Sequence, residues 1–314
     1  KAGIKPEEKY VFPYVQCVYK GKWYGIPRGG TGVQVFFYNK PMFDDAGVPY
    51  PENQDWTWDD FLETAKALTK AGSDGKTEQW GFDFWCWSAQ ESYSTAIWGN
   101  GGLLLNEEKT KCLLAEPAAV EAIQWWADLR CKHKVAPTPG EIPEGMGNPF
   151  FSGLAAMTQC GTWAINTLRP AEFDWGIVSW PAGPKAHVSG SKPNTNSIGA
   201  PTKHPEDAWL LEEYLGGDEV ARHEAETGLW APNTWNMMNS DWYQTSDQKP
   251  YDLTPTVVNK YCQCHSIPLT PQAAEISNAV GQELQVVLNC EEDAATALAR
   301  AADNVDAVLA EAEG

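Results

Sequence analysis

Residues 151–184 read FSGLAAMTQCGTWAINTLRPAEFDWGIVSWPAGP, and this stretch sets the expectation for the rest of the chain. Phe150, Phe151, Leu154, Ala155, Ala156 and Met157 form an apolar approach. Gly161 interrupts it, and Trp163 opens a helical turn through Asn166 to Leu168. An indole at the start of such a turn can face a cleft. Asp174 to Ser179 then reads as a strand.

Working outward, Thr57 caps a predicted helix to Lys70, with Asp60 at the third helical position and Phe61, Ala65 and Leu68 on one face. A second helix follows Glu116, with Pro117 at its first position, a Val120/Ile123/Ala127/Arg130 stripe and a basic end; Trp125 and Trp126 pack there. Pro205 opens a third, closed by Gly216 and Gly217. Thr270 and Pro271 open a fourth, with Ile276, Val280, Leu284, Val287 and Leu288 as its stripe, and an Ala-rich fifth runs from Glu291 to about Leu309. Val33 to Tyr38, Gly81 to Phe84 and Ser197 to Ala200 read as further strands, and Asn239 to Pro250 as a loop. Strands alternating with helices predict an α/β fold.

Three sets of motifs carry a resemblance. The first is the small-residue apolar run Ser152–Met157, then Gly161 to Trp163, Phe173 to Gly176 and Pro181 to Pro184. The second lies between Gly21 and Leu68, in GKWYGIPRGGTGVQVFFYNKPMFDDAGVPYPENQDWTWDDFLETAKAL, and the third is Lys203 to Trp209 with Gly228 to Pro232. In this order they resemble the family 1 extracellular solute-binding proteins, the sugar-capturing, maltose-binding-protein-like receptors of ABC importers.

The resemblance implies a two-lobe, type II periplasmic-binding-protein-like fold with hinge crossover strands and an incomplete first lobe, since family members carry several strand–helix units before the element met here at Gly21. It divides the chain into residues 1–33 of the N-terminal lobe, 34–190 of the C-terminal lobe, 191–242 returning to the first, and 243–314 as C-terminal-lobe helices. It implies a carbohydrate ligand, most simply an oligosaccharide, and permease subunits in the membrane as partners. It also implies no cofactor and no catalytic residue, with an extracytoplasmic location in the periplasm or at the cell surface, with or without a lipid anchor.

Composition bounds the alternatives. The 314 residues carry 23 Lys and Arg against 42 Asp and Glu, a net charge of −19, which repels phosphate backbones and makes nucleic acid an unexpected partner. Nothing calls for a homo-oligomer, so a monomer is expected. The eight cysteines are scattered and allow on the order of 100 pairings, so buried free thiols are the leading reading. Cys262, Cys264 and His265 lack the second ligand pair that a zinc site needs, and no metal is expected. Sixteen tryptophans exceed what core packing alone calls for, and an aromatic face offers apolar contact to the C–H face of a sugar.

Candidate ligand residues follow by carrying the family pattern over. Trp163 occupies the Gly-x-Trp position that stacks on sugar. Trp230, in Gly228–Pro232, either faces the cleft or packs beneath its loop. Tyr93 and Trp98 belong to a segment resembling the second-lobe wall, where Gln90 and Glu91 offer planar groups for paired hydroxyls; Glu91 is equally readable as a solvated helix residue. Arg28 and Thr31 precede the first crossing strand, and Asn194 and Asn196 flank the second, in a loop that also reads as a plain turn. Ser277 stands where maltodextrin-binding members present an aromatic, which argues against maltodextrin. A glycoside-active enzyme would need two carboxylates across a scissile bond, and Asp44, Asp45, Asp59 and Asp60 are better explained as loop and helix-start residues. A phosphodiester ligand would need a basic residue at the cleft, where Arg28 is the one candidate.

Overall fold

The computed structural model describes residues 5–11, 17–51, 56–88, 90–257 and 263–311. One strand organises it. Ile26–Asn39 runs for 14 residues, roughly 45 Å at the usual rise per residue. Its C-terminal half is flanked on both edges by antiparallel partners, Met157–Gly161 and Trp175–Ser179. Its N-terminal half pairs instead with Val188–Asn196 and with the short Ala231–Pro232 strand. Val188–Asn196 in turn runs parallel to Gln263–Ser266. The Ser189 and Ser191 hydroxyls donate to the carbonyls of Gln34 and Gly32, adding side-chain bonds to the ladder.

Alternation along the long strand explains how it supports two cores. Phe36 and Tyr38 enter one cluster, with Phe61, Phe82, Trp126, Trp180 and the two C-terminal helices. Val33, Val35 and Phe37 enter the other, with Trp175, Ile165, Tyr243 and Leu253. Successive side chains of a strand point to opposite faces, so a strand covered on both sides is apolar throughout.

The helices follow their caps and stripes. Trp58–Leu68 starts at a Thr57/Asp60 capping box and ends two residues short of the expected Lys70. Pro117–Cys131 has Pro117 in its first turn, and the Trp126 ring stacks on Phe61 at 5.5 Å. Pro205–Leu215, Ala273–Leu288 and Ala294–Glu311 complete the set, with all five stripe residues of Ala273–Leu288 buried.

Several expectations are corrected. Gly81–Phe84 forms only an isolated bridge at Asp83, because its amides go to separate places, Gly81 N to the Thr69 hydroxyl, Phe82 N to Val135 O and Asp83 N to Met157 O, and not to one neighbouring strand. Ser197–Ala200 is not a strand; the pairing stops at Asn196 and the chain turns through a Thr202-to-Gly199 bond. Met157–Gly161, MTQCG, is a strand buried at every position, so its polar and apolar residues lack the alternation that marks one in sequence. A short helix, Asp241–Gln244, interrupts the expected 239–250 loop. The free-thiol reading fails for four cysteines: Cys86 joins Cys160 and Cys131 joins Cys290, across 74 and 159 residues. Spacing could not reveal these pairs because tertiary packing, and not local chain geometry, brings their Cα atoms to 5.0 and 5.5 Å. Cys17 and Cys112 are buried thiols, and Cys262 lies outside the described residues.

One buried charge bears on stability. Asp83 is 4% exposed and accepts from Asn148 Nδ2 at 2.7 Å and from Thr158 Oγ1 at 3.5 Å. Burial pushes its carboxyl up to about 6, despite these donors and the nearby Arg130 guanidinium. A carboxyl raised in the folded state favours folding fully below its unfolded value near 3.8, and that contribution disappears as pH rises through about 6. The span corresponds to at most about 3 kcal/mol. Urea titrations of Asp83→Asn against the parent should therefore show the difference in unfolding free energy shifting toward the variant between pH 4 and 7. A shift toward the parent would contradict the assignment.

Candidate functional site

The ladder register brings a particular set of side chains to one face of the crossing strands. Gly32 lies opposite Lys192, Gln34 opposite Gly161, and Phe36 opposite Gln159, and antiparallel partners share a face. Above this face, between Gly32 and Gly161, lies the Trp163 ring. A Cβ at Gly32 would come within 2.6 Å of Trp163 Cζ3, and one at Gly161 would overlap Cζ3, Cη2 and Cε3. The indole therefore rests directly on backbone.

Thr162 fixes the strand end beneath it. Its amide donates to Val33 O at 2.9 Å, and its hydroxyl donates to Thr31 O at 3.1 Å while accepting from Val33 N at 3.3 Å. Trp163 then precedes the Ala164–Leu168 helix, as the sequence led us to expect. Trp230 reaches the same place from another segment. Ala231 pairs with Thr31, Gly228 O accepts from Asn166 N at 3.0 Å, and the Trp230 ring meets Trp163 at 5.8 Å and 54°. Both indoles are half-buried, so each keeps open surface.

Two ion pairs lie on the same two strands, Lys192 opposite Gly32 and Arg28 opposite Asn194. Glu91, on the Gln90–Gly99 helix, is almost wholly buried and lies 3.6 Å from Lys192, whose side chain is 55% exposed. Glu224, on the Asp218–Glu226 helix, is equally buried and lies 3.4 Å from the half-exposed Arg28. Burial raises the Glu224 carboxyl, and Arg28 opposes that rise. Each pair thus sets a sequestered carboxylate under a cation that still reaches solvent. Glu91 is accordingly an ion-paired interior group, and the reading of it as a solvated helix residue is corrected.

The other expected residues are dispersed. Asn194 lies opposite Arg28 and Asn196 opposite Ile26, both on the ladder, and Thr31 is fully buried beneath it. Tyr93 is fully buried in the larger core, with its phenol against Ser277, and has no surface to offer in this conformation. Trp98 packs on His265 at 5.3 Å and lines a depression with Leu103 and Pro268. Gln90 lines a different one, with Leu105, Ile276 and Val280. The ladder thus sets Thr31 next to Gly32 and Ala231 by the indoles, strings Arg28 with Asn194 and Ile26 with Asn196 farther along the same strand pair, and reaches Glu91 through Lys192, while Tyr93 lies in the larger core and Trp98 and Gln90 line other depressions.

The structure adds Lys192 and a buried amide cluster. Ser92 Oγ contacts Gln34 Oε1 at 3.1 Å and donates to Cys86 O at 2.8 Å. In the orientation that satisfies its neighbours, the Gln159 amide donates to Ser92 Oγ at 3.1 Å and accepts from Trp87 N at 2.8 Å. This ties the Cys86 segment, already bound to Cys160 through sulfur, to the strand below Trp163. Gln34, polar within the apolar run GVQVFFY, was the one sequence signal of this cluster. Replacing Ser92 by Ala would strand two buried amides, at a cost of about 1–3 kcal/mol. Chemical denaturation should show that loss, and an unchanged unfolding free energy would remove the network from the account.

Comparison with known proteins is consistent with this geometry. A family model described as bacterial extracellular solute-binding protein matches residues 2–222. The sn-glycerol-3-phosphate-binding periplasmic protein UgpB of Rhizobium meliloti is 22% identical over 99% of this chain and 74% of its own length. An arabinooligosaccharide-binding protein of Halalkalibacterium halodurans is 30% identical over 39% of this chain and 26% of its own. Among solved structures, the ABC substrate-binding protein Lmo0181 of Listeria monocytogenes, in complex with cycloalternan, superposes with a TM-score of 0.85 at 25% identity, over 98% of this chain and 77% of that one.

Proposed function

The chain belongs to the bacterial extracellular solute-binding protein family, and from that premise we propose that it captures a carbohydrate, an oligosaccharide by preference, and delivers it to the permease of an ABC importer. The observation that carries this reading is the meeting of two half-buried indoles, Trp163 and Trp230, at the crossing strands. Aromatic faces match the C–H face of a pyranose, while the neighbouring amide and charged groups match its hydroxyls. The relative named for arabinooligosaccharide and the neighbour bound to cycloalternan support a sugar.

A phosphodiester, suggested by the glycerol-phosphate relative, is less well supported. Both cations beside the indoles already face carboxylates, Arg28 with Glu224 and Lys192 with Glu91, so neither is a free anchor for an anion. The same pairing argues against acid–base chemistry, since neither carboxylate stands opposite a partner across an open gap. Lys192 is a donor for ligand oxygens beside the Trp163 ring, with Asn194 next to it on the same ladder face.

In this reading, residues 1–33 and 191–242 form one lobe, residues 34–190 and 243–314 the other, and Trp230 and Trp163 approach the ligand from opposite sides. Closure then follows from the ligand's better contact with both lobes than with one. The protein works as a monomer outside the cytoplasm, held by lipid or free, and takes no nucleic acid. The two disulfides fit an oxidising compartment, and no described helix is long and apolar enough to cross a membrane.

Calorimetric titration with mono- and oligosaccharides tests the reading. Fluorescence is less selective in a chain with sixteen tryptophans. At least one saccharide should bind, and Trp163→Ala should weaken it by about 2 kcal/mol, roughly thirtyfold. Heat from glycerol phosphodiesters and none from any sugar would replace the carbohydrate with a phosphate ligand.

A further inference from the structure

On one side the Trp163 ring lies against two glycines on adjacent strands. The contact atoms, Cε3, Cζ3 and Cη2, belong to the six-membered ring, the part of the indole with the broadest flat surface. We propose that Gly161 and Gly32 are positioning residues, forming a side-chain-free seat that sets the depth and tilt of the Trp163 ring in the ligand groove. The role assigned to the ring rests on the carbohydrate reading; the seat itself rests on geometry alone.

What makes the seat effective is that its backbone has little freedom to retreat. Gly161 pairs with Gln34, and the next residue, Thr162, is bonded to Thr31 and Val33 through both amide and hydroxyl. The preceding residue, Cys160, is covalently joined to Cys86. Gly32 is held from its other edge by the ladder to Lys192 and by the Ser191 hydroxyl on its carbonyl. A methyl group added at either position meets a ring that can move and a backbone that is held on several sides, so the ring is displaced. Because the ring keeps open surface and has Trp230 at 5.8 Å, displacement moves it relative to Trp230 and so alters the space a ligand would share with the two indoles.

Neither glycine has a left-handed backbone, so conformational freedom does not account for them. At such a position Ala would ordinarily stabilise a protein slightly by restricting the unfolded chain. The seat predicts the reverse, and only while the large ring is present.

The experiment combines Gly161→Ala with Trp163→Leu, which removes every ring atom of the overlap. In the parent background, Gly161→Ala should lower the melting temperature and weaken saccharide binding at least tenfold. It should also move one 19F resonance of 5-fluorotryptophan-labelled protein, the one identified by its loss in Trp163→Leu. In the Trp163→Leu background, the same Ala substitution should leave the melting temperature unchanged or raise it. Gly32→Ala, with its milder overlap, gives the same pattern at smaller amplitude and serves if Gly161→Ala does not fold. An unmoved Trp163 resonance, or equal thermal cost in both backgrounds, would overturn the seat. Absence of any saccharide binding by the parent would sink the carbohydrate reading and leave the resonance and thermal tests of the seat intact.

Discussion

The double use of a single strand is the constraint on which this structure depends. Ile26–Asn39 is a wall of both hydrophobic clusters at once, and four of its pairing partners are drawn from parts of the chain more than 100 residues away. Its apolar residues cannot be exchanged for polar ones on either face without exposing one core. Its backbone polar groups are satisfied by different partners along its length, and the change of partner comes near Gly32 and Val33. The indoles collect at that change, where two side-chain-free positions let a large ring approach the main chain.

Charge arrangement around this point follows from burial. Carboxylates as enclosed as Glu91 and Glu224 need a counter-charge, and each has a cation on a crossing strand. The cations remain partly solvated, which keeps the screening high and each pair modest in energy. Their main effect is chemical: they keep solvent-reaching donors on the crossing strands while cancelling the charge beneath, in a chain whose net charge is strongly negative.

Much of this was legible in the sequence. Helix starts at Thr57 and Pro117 carry local signals in their caps, and the terminal stripes carry a helical period, so those elements could be read directly. Trp163 at the opening of a short helix was readable from Gly161 and the apolar run before it. Met157–Gly161 escaped because a strand buried on both faces has no period. Lys192 escaped because its meaning comes from a register partner 160 positions earlier, Gly32, and from Glu91 on a helix packed across the sheet. The misplaced weight on Tyr93 has a similar origin: which side of the Gln90–Gly99 helix faces the sheet is decided by packing, since every residue from Glu91 to Gly99 is buried and no polar face marks the outside. Cysteine pairing is likewise a tertiary fact.

The placement of the two disulfides has a mechanical consequence. Cys86–Cys160 binds a loop to one strand beside the smaller core, and Cys131–Cys290 binds a helix end to the turn between the C-terminal helices beside the larger one, so each of the two cores carries one covalent tie. Neither links a residue of Ile26–Gly32 or of Lys192–Asn196 to anything else. Among the described residues, these segments of the long strand and its partner are restrained by reversible contacts only, so the covalent ties reinforce the packed cores and leave the ladder between them to hydrogen bonds and packing.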